Sequence, residues 1–157
     1  MADTNQLKVA KNLQTTIAGM TTAGGYNYDV HASSVTLDPT VDIFTAVPRS
    51  KLPLFVIQIS PDEELEYDAA DQLLEELAWV IVAAVDATDR TDPQAKLTEF
   101  TKLVGDVEKV LHVDHTRGGF ATDTRIHKRR MFPEMGGARL MGVVEITTRV
   151  YRTYGVP

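Results

Sequence analysis

The chain has 157 residues, is 43% hydrophobic and 24% charged, and carries a formal net charge of −6 with no cysteine. That length suits one domain, residues 1–157, with a sizeable core, and the absence of cysteine excludes disulfides and thiolate metal sites. Met1 to Gln6 lacks the basic and apolar regions of a secretory signal, and the longest apolar run, Leu77 to Val85, is too short to cross a bilayer as a helix. A protein that works in a cytoplasm, or leaves with a particle, is expected.

A helix is predicted from about Asp3 to Met20. Asp3 would cap it, with Gln6 three residues on, and Ala10, Leu13, Ile17 and Met20 form one apolar stripe. Gly24-Gly25 marks its exit. Tyr26 to Leu37 is rich in Tyr, Val, Ser and Thr and is expected to contain a strand. Asp38 to Leu52 reads as a long irregular arm. Leu54 to Ile59 is a strand bounded by Pro53 and Pro61, and an acidic turn follows at Asp62 to Glu66. Leu77 to Val85 is apolar on both parities, which suits a central strand covered on both faces, with a buried helix as the alternative that periodicity alone leaves open.

Asp92-Pro93 is an N-cap followed by proline at N1, opening a helix that runs to about His112. Its apolar stripe is Leu97, Phe100, Val104, Val107 and Leu111. Gly118-Gly119 opens a strand over about Phe120 to Met131, Pro133 to Gly137 turns the chain, and Arg139 to Arg152 returns antiparallel. In that last strand Val144, Ile146, Thr148 and Val150 alternate with Glu145, Thr147, Arg149 and Tyr151, the period of a half-buried strand. The fold class is α+β: an antiparallel sheet of four to five strands flanked by two helices, ending in a β-hairpin.

No spacing in the chain matches a catalytic or phosphate-binding motif. The glycine pairs lack the P-loop and dinucleotide patterns, there is no G-x-S-x-G elbow, and nothing singles out a carboxylate pair for acid–base work. No catalytic, cofactor or metal residues are assigned. His112-Val113-Asp114-His115 has ligand chemistry, but three ligands within four residues at a helix end rarely converge on one ion. It reads as a helix C-terminus.

The charge is segregated. Asp62, Glu63, Glu64, Glu66, Asp68, Asp71, Glu75 and Glu76 lie together with no base between them. Arg125, Lys128, Arg129, Arg130, Arg139, Arg149 and Arg152 face only Glu134 and Glu145. Opposed blocks of this kind suit a head-to-tail contact between identical copies. The bland alternative is two solvated runs that keep the protein soluble. The basic stretch at 125–130 could also serve a small nucleic-acid-binding module.

The ending Arg149-Val150-Tyr151-Arg152-Thr153-Tyr154-Gly155-Val156-Pro157 resembles the C-terminus of small tail-terminator or tail-completion proteins of tailed bacteriophages. The order of elements is similar too: an N-terminal helix, a strand led by Leu52-Pro53, an acidic turn, a long apolar strand, a second helix and a C-terminal hairpin. The resemblance implies a structural virion protein, not an enzyme, with no cofactor. It would be assembled in the host cytoplasm and sit in the tail or neck of the virion. It would form a ring, commonly a hexamer, on the head-proximal end of the tail tube. Its partners would be the major tail tube protein and the head-completion or connector protein. DNA would pass through the lumen without specific binding, and no membrane is involved. The residues expected to meet a neighbouring subunit or partner are Asp62, Glu63, Glu64, Glu66, Arg125, Lys128, Arg129, Arg130, Arg149, Tyr151 and Arg152. A head-closure or minor tail protein is the alternative of the same class.

Overall fold

Two apolar stretches far apart in sequence pair along their whole length and set the architecture. The computed structural model describes residues 4–38, 40, 48–60, 64–67, 72–89, 91–132 and 139–153, with backbone alone for 64–67, 72–73 and 152–153. In chain order these form α1 (Asn5–Ala18), β1 (Val35–Thr36), β2 (Leu54–Ile59), β3 (Glu64–Tyr67), β4 (Gln72–Asp86), α2 (Pro93–Val113), β5 (Asp123–Phe132) and β6 (Arg139–Thr153). The strands make one sheet in the order β1-β2-β4-β6-β5, with β3 also paired to β4 beyond the end of β2. The α+β class expected from sequence is observed. The sheet is mixed rather than purely antiparallel, because β1 runs parallel to β2.

The predicted central strand is central, between β2 and β6, and longer than its apolar run: it extends from Gln72 to Asp86. Extension is possible because β6 runs beside β4 in unbroken register over its whole length, from Gln72 opposite Thr153 to Asp86 opposite Arg139. The expected acidic turn is a correction. Glu64–Tyr67 is strand, paired antiparallel to Leu73–Glu76, while Asp62 and Glu63 lie outside the described residues.

Both helices pack on the same face of the sheet. Val9, Leu13 and Ile17 of α1 and Leu103, Val107 and Leu111 of α2 share one core with Phe55, Ile57, Leu77, Trp79, Ile81, Val144, Ile146 and Val150. The indole of Trp79 is buried as expected, and its Nε1 donates to the Thr148 hydroxyl at 2.9 Å. Thr4 caps α1, its side chain accepting from the Leu7 amide; Asp3 is outside the described residues. Asp92 caps α2 with Pro93 after it, as predicted. The predicted stripe of α2 is truncated. Leu97 is 55% exposed and overhangs the sheet, Phe100 is half-buried against it, and full burial begins at Leu103.

The strand expected within Tyr26–Leu37 shrinks to Val35–Thr36. Local polar bonds compete with a ladder there. Asp29 accepts from the amide and hydroxyl of Thr22, and the buried Asp106 carboxylate of α2 takes both the amide and the side-chain amide of Asn27 at 2.7 Å each. β5 starts at Asp123, three residues later than predicted, because Arg117 to Phe120 form turns. Arg117 sits at a left-handed φ of 53° and is fully buried, its guanidinium donating to the carbonyl of Leu111 in the last turn of α2. Of the arm expected over 38–52, Asp38, Thr40 and 48–52 are described, the last containing a 3-10 turn at Arg49–Lys51. The predicted turn at 133–137 lies outside the described residues.

Two substitutions test this packing. Ile81 is fully buried in the middle of β4, so Ile81→Asp places an unpaired charge in the core at a cost of several kcal/mol. The expected circular-dichroism melt has no cooperative transition; a melt near the parent temperature would mean that the site is not core. At Gly142 an added Cβ would stand 2.8 Å from the Phe100 ring. Gly142→Val is expected to lower stability by about 1–3 kcal/mol, and Phe100→Ala in the same chain should recover part of that loss in chemical denaturation.

Candidate interaction surface

Because side chains alternate along a strand, the helix-covered face takes the odd positions of β4 and the even positions of β6. The other face takes Ala78, Val80, Val82 and Ala84 from β4 and Met141, Val143, Glu145, Thr147, Arg149 and Tyr151 from β6. No described helix lies on it. Its centre is nevertheless apolar: Leu54, Val56 and Ala84 are buried in a second small cluster with Leu52 and Val82.

β5 is the lateral edge strand on the β6 side, and it carries a bulge. Ile126 pairs with Ile146, but Lys128, not His127, pairs with Glu145. One extra residue resets the alternation. His127 therefore joins Arg125, Lys128 and Arg130 on the open face, where its Nε2 lies 2.6 Å from the Thr147 hydroxyl. Arg129 turns to the helix face and pairs with Glu108 of α2 at 3.1 Å. The adjacent sequence Lys128-Arg129-Arg130 is thus split across two faces. Sequence reasoning missed His127; the signal was present in the apolar spacing Ile126 to Met131, which is odd where an unbroken strand requires an even step.

Most of the predicted basic residues are answered within the chain. Arg125 pairs with Asp123 at 2.7 Å, Arg130 with Glu145 at 3.1 Å, and Arg139 with Asp86 at 2.9 Å. Arg149 pairs with Glu76 at 3.3 Å, because β4 and β6 are neighbours. The acidic and basic blocks therefore touch inside one subunit at that point. Lys128 has no ion-pair partner among the described residues and is exposed. Tyr151 is 47% exposed at the far end of β6, with Arg152 after it opposite Leu73. Of the predicted acids, Glu64 and Glu66 occupy β3 register positions opposite Glu76 and Leu74, on the open-face parity of β4.

At the opposite edge, β1 covers β2 only at Phe55 and Val56. Beyond that, a groove of about 410 Å³ opens between α1 and the end of β2, lined by Leu7, Ala10, Leu37, Ile57, Ile59 and Trp79. Leu7 is 38% and Ile59 43% exposed. Nothing in the residue pattern singles out Ile59, because its exposure follows from β1 ending early.

His112 lies in the last turn of α2, and Asp114 and His115 begin the turn that positions β5. Asp114 accepts from the amide and hydroxyl of Thr116 and from the Gly118 amide. Burial pushes its pKa up, but those hydrogen bonds and the charge of Arg117 outweigh burial and hold the carboxyl below the usual carboxylate range. Among the described residues no group of three His, Cys, Asp or Glu is placed to hold a metal ion, and no helix is long and apolar enough to cross a membrane. No protein-family model matches the chain, and no curated protein matches it.

The lowered pKa of Asp114 fixes a sign. Its contribution to stability is present above the unfolded value of about 3.9 and is lost as pH falls through the lower folded value. Asp114→Asn is expected to lower stability at neutral pH and to flatten the acid limb of the stability–pH profile measured by urea unfolding. An unchanged acid limb would mean that this turn does not hold the carboxylate in the charged form.

Proposed function

We propose that the chain is a structural subunit of a phage tail, a tail terminator that closes the head-proximal end of the tail tube as a ring and offers a docking surface to the head connector. The observation that carries this reading is the one-sided sheet. Both α-helices cover one face; on the other the described residues place no α-helix, Leu52 packs on the buried Leu54, Val56 and Ala84, and long stretches of both lateral edges pair with no described strand. A sheet so arranged is suited to adhesion on several sides at once. The resemblance of the C-terminal strand and of the element order to tail terminators supports the same reading. The task it implies is to hold a fixed geometry, with no bond made or broken, and to act in the tail or neck of a virion.

Subunits of such a ring meet through a heterologous contact that closes by rotation. One ring face would complement the tube end and the other would refuse a further tube ring. A head-closure or minor tail protein would use the same surfaces on a neighbouring ring. The nucleic-acid-binding reading draws on Arg125, His127, Lys128 and Arg130 sharing one face. It is weakened by Asp123 and Glu145, which already engage two of those bases.

The expected result for purified protein in negative stain is a ring with a central hole. In phage lacking the protein, tails of uncontrolled length and few head-joined particles are expected by electron microscopy. Tails of normal length joined to filled heads would reject the reading.

A further inference from the structure

We infer that successive copies join edge to edge: the outer edge of β5 in one copy pairs antiparallel with the outer edge of β2 and β3 in the next, displaced along the strands by four residues. This inference rests on the reading of the chain as a ring subunit and names the contact that closes the ring.

The two edges belong to one sheet and run in opposite directions, since three antiparallel steps separate β2 from β5. Identical copies placed side by side therefore bring them together antiparallel. Two constraints choose the register. The helix-covered face must continue across the junction, so the displacement must be an even number of residues. The end of β5 must also clear β1, which occupies the edge of β2 level with Ala83 and Val82 of β4. Through the ladder, Phe132 at the end of β5 is level with Ala84. It must rise by at least three residues to reach the stretch from Ile57 on, along which no described strand pairs with the outer edge of β2. Four is the smallest even displacement that does so.

That register, chosen from backbone geometry alone, matches side-chain chemistry at three of its contacts. Lys128 comes opposite Glu64, and Arg125 comes opposite Glu66. Met131, 39% exposed on the helix face, comes opposite Ile59 at the mouth of the apolar groove beside α1. A constant offset of four residues, about 13 Å along the strand, tilts every strand relative to the ring axis, as a sheet closed on itself requires. The bases of β5 guard this edge against indiscriminate pairing and select an acidic partner edge.

Engineered cysteines in the cysteine-free 157-residue chain test the register. Residues directly opposite in an antiparallel pair lie within disulfide reach. Under mild oxidation, Lys128→Cys with Glu64→Cys, and Met131→Cys with Ile59→Cys, are expected to give a reducible ladder of covalent multimers on a denaturing gel. The exchanged combinations, Lys128→Cys with Ile59→Cys and Met131→Cys with Glu64→Cys, are three register positions and one face apart and are expected to give none. Lys128→Glu should weaken self-association by about two- to fivefold, and adding Glu64→Lys should restore it. A ladder from the exchanged combinations equal to that from the matched ones overturns the inference, as does a protein that stays monomeric. Rings in negative stain without cross-linking of either matched pair overturn it too, while leaving the terminator reading intact. Normal tails in phage lacking the protein would reject that reading, whatever the cross-linking shows.

Discussion

The ladder between β4 and β6 is the constraint on which the rest depends. It joins residues on either side of the whole α2–β5 segment, from Gln72 opposite Thr153 to Asp86 opposite Arg139. Its middle is a double row of buried side chains, with Ile81 opposite Val144 and Trp79 opposite Ile146. A slip of one residue would carry every one of them to the opposite face, away from the helices. The diagonal hydrogen bond from Trp79 to Thr148 opposes such a slip, since both groups are buried and neither has water to turn to.

From that ladder the one-sidedness of the molecule follows. α1 reaches the sheet over β1 and β2, and α2 lies over β4, β6 and β5. The helices meet each other above the same core, and no described α-helix lies on the opposite face. Polar bonds fasten the connections to this layer. Asp106 binds Asn27, Gln14 donates to the Val35 carbonyl at 2.8 Å, and Arg117 binds the end of α2. Arg117 has two guanidinium nitrogens without a hydrogen-bond partner, and burial lowers its pKa against the opposing charge of Asp114. A buried cation in that state contributes little net stability. Its role is to close the helix end and turn the chain into β5.

The same pairing changes the meaning of the charge pattern. Acids and bases that are segregated along the chain become neighbours where β4 meets β6, as Glu76 and Arg149 show. Along β5, the bulge at His127 and intrachain carboxylates leave Lys128 exposed without an ion pair among the described residues. Exposed pairs of this kind are each worth about 0–1 kcal/mol, so apolar contact has to supply most of any binding between subunits, with charge choosing partner and register.

Sequence by itself determined the elements whose cause is local. Asp92-Pro93 sets the start of α2 because an N-cap and a proline at N1 need only their own turn. Leu54–Ile59 was legible from its bounding prolines. The alternation of Val144, Ile146, Thr148 and Val150 with their polar neighbours assigned β6 and its buried face correctly, since a period of two is written in the chain. Only the tertiary structure decided what depends on partners. Gln72 to Glu76 became strand because β6 offered hydrogen bonds to a polar stretch, and Glu64–Tyr67 because β4 did. Within Tyr26 to Leu37 the expected strand is confined to Val35–Thr36, because side-chain bonds of Asp29 and Asp106 hold the residues before it. Leu97 fits the helical stripe but overhangs the sheet, which periodicity cannot foresee. Which edge stays open, and that Ile59 stands beside a groove, depends on where β1 stops. Composition carries no trace of that, because a free edge is a property of the assembled sheet and not of the residues that form it.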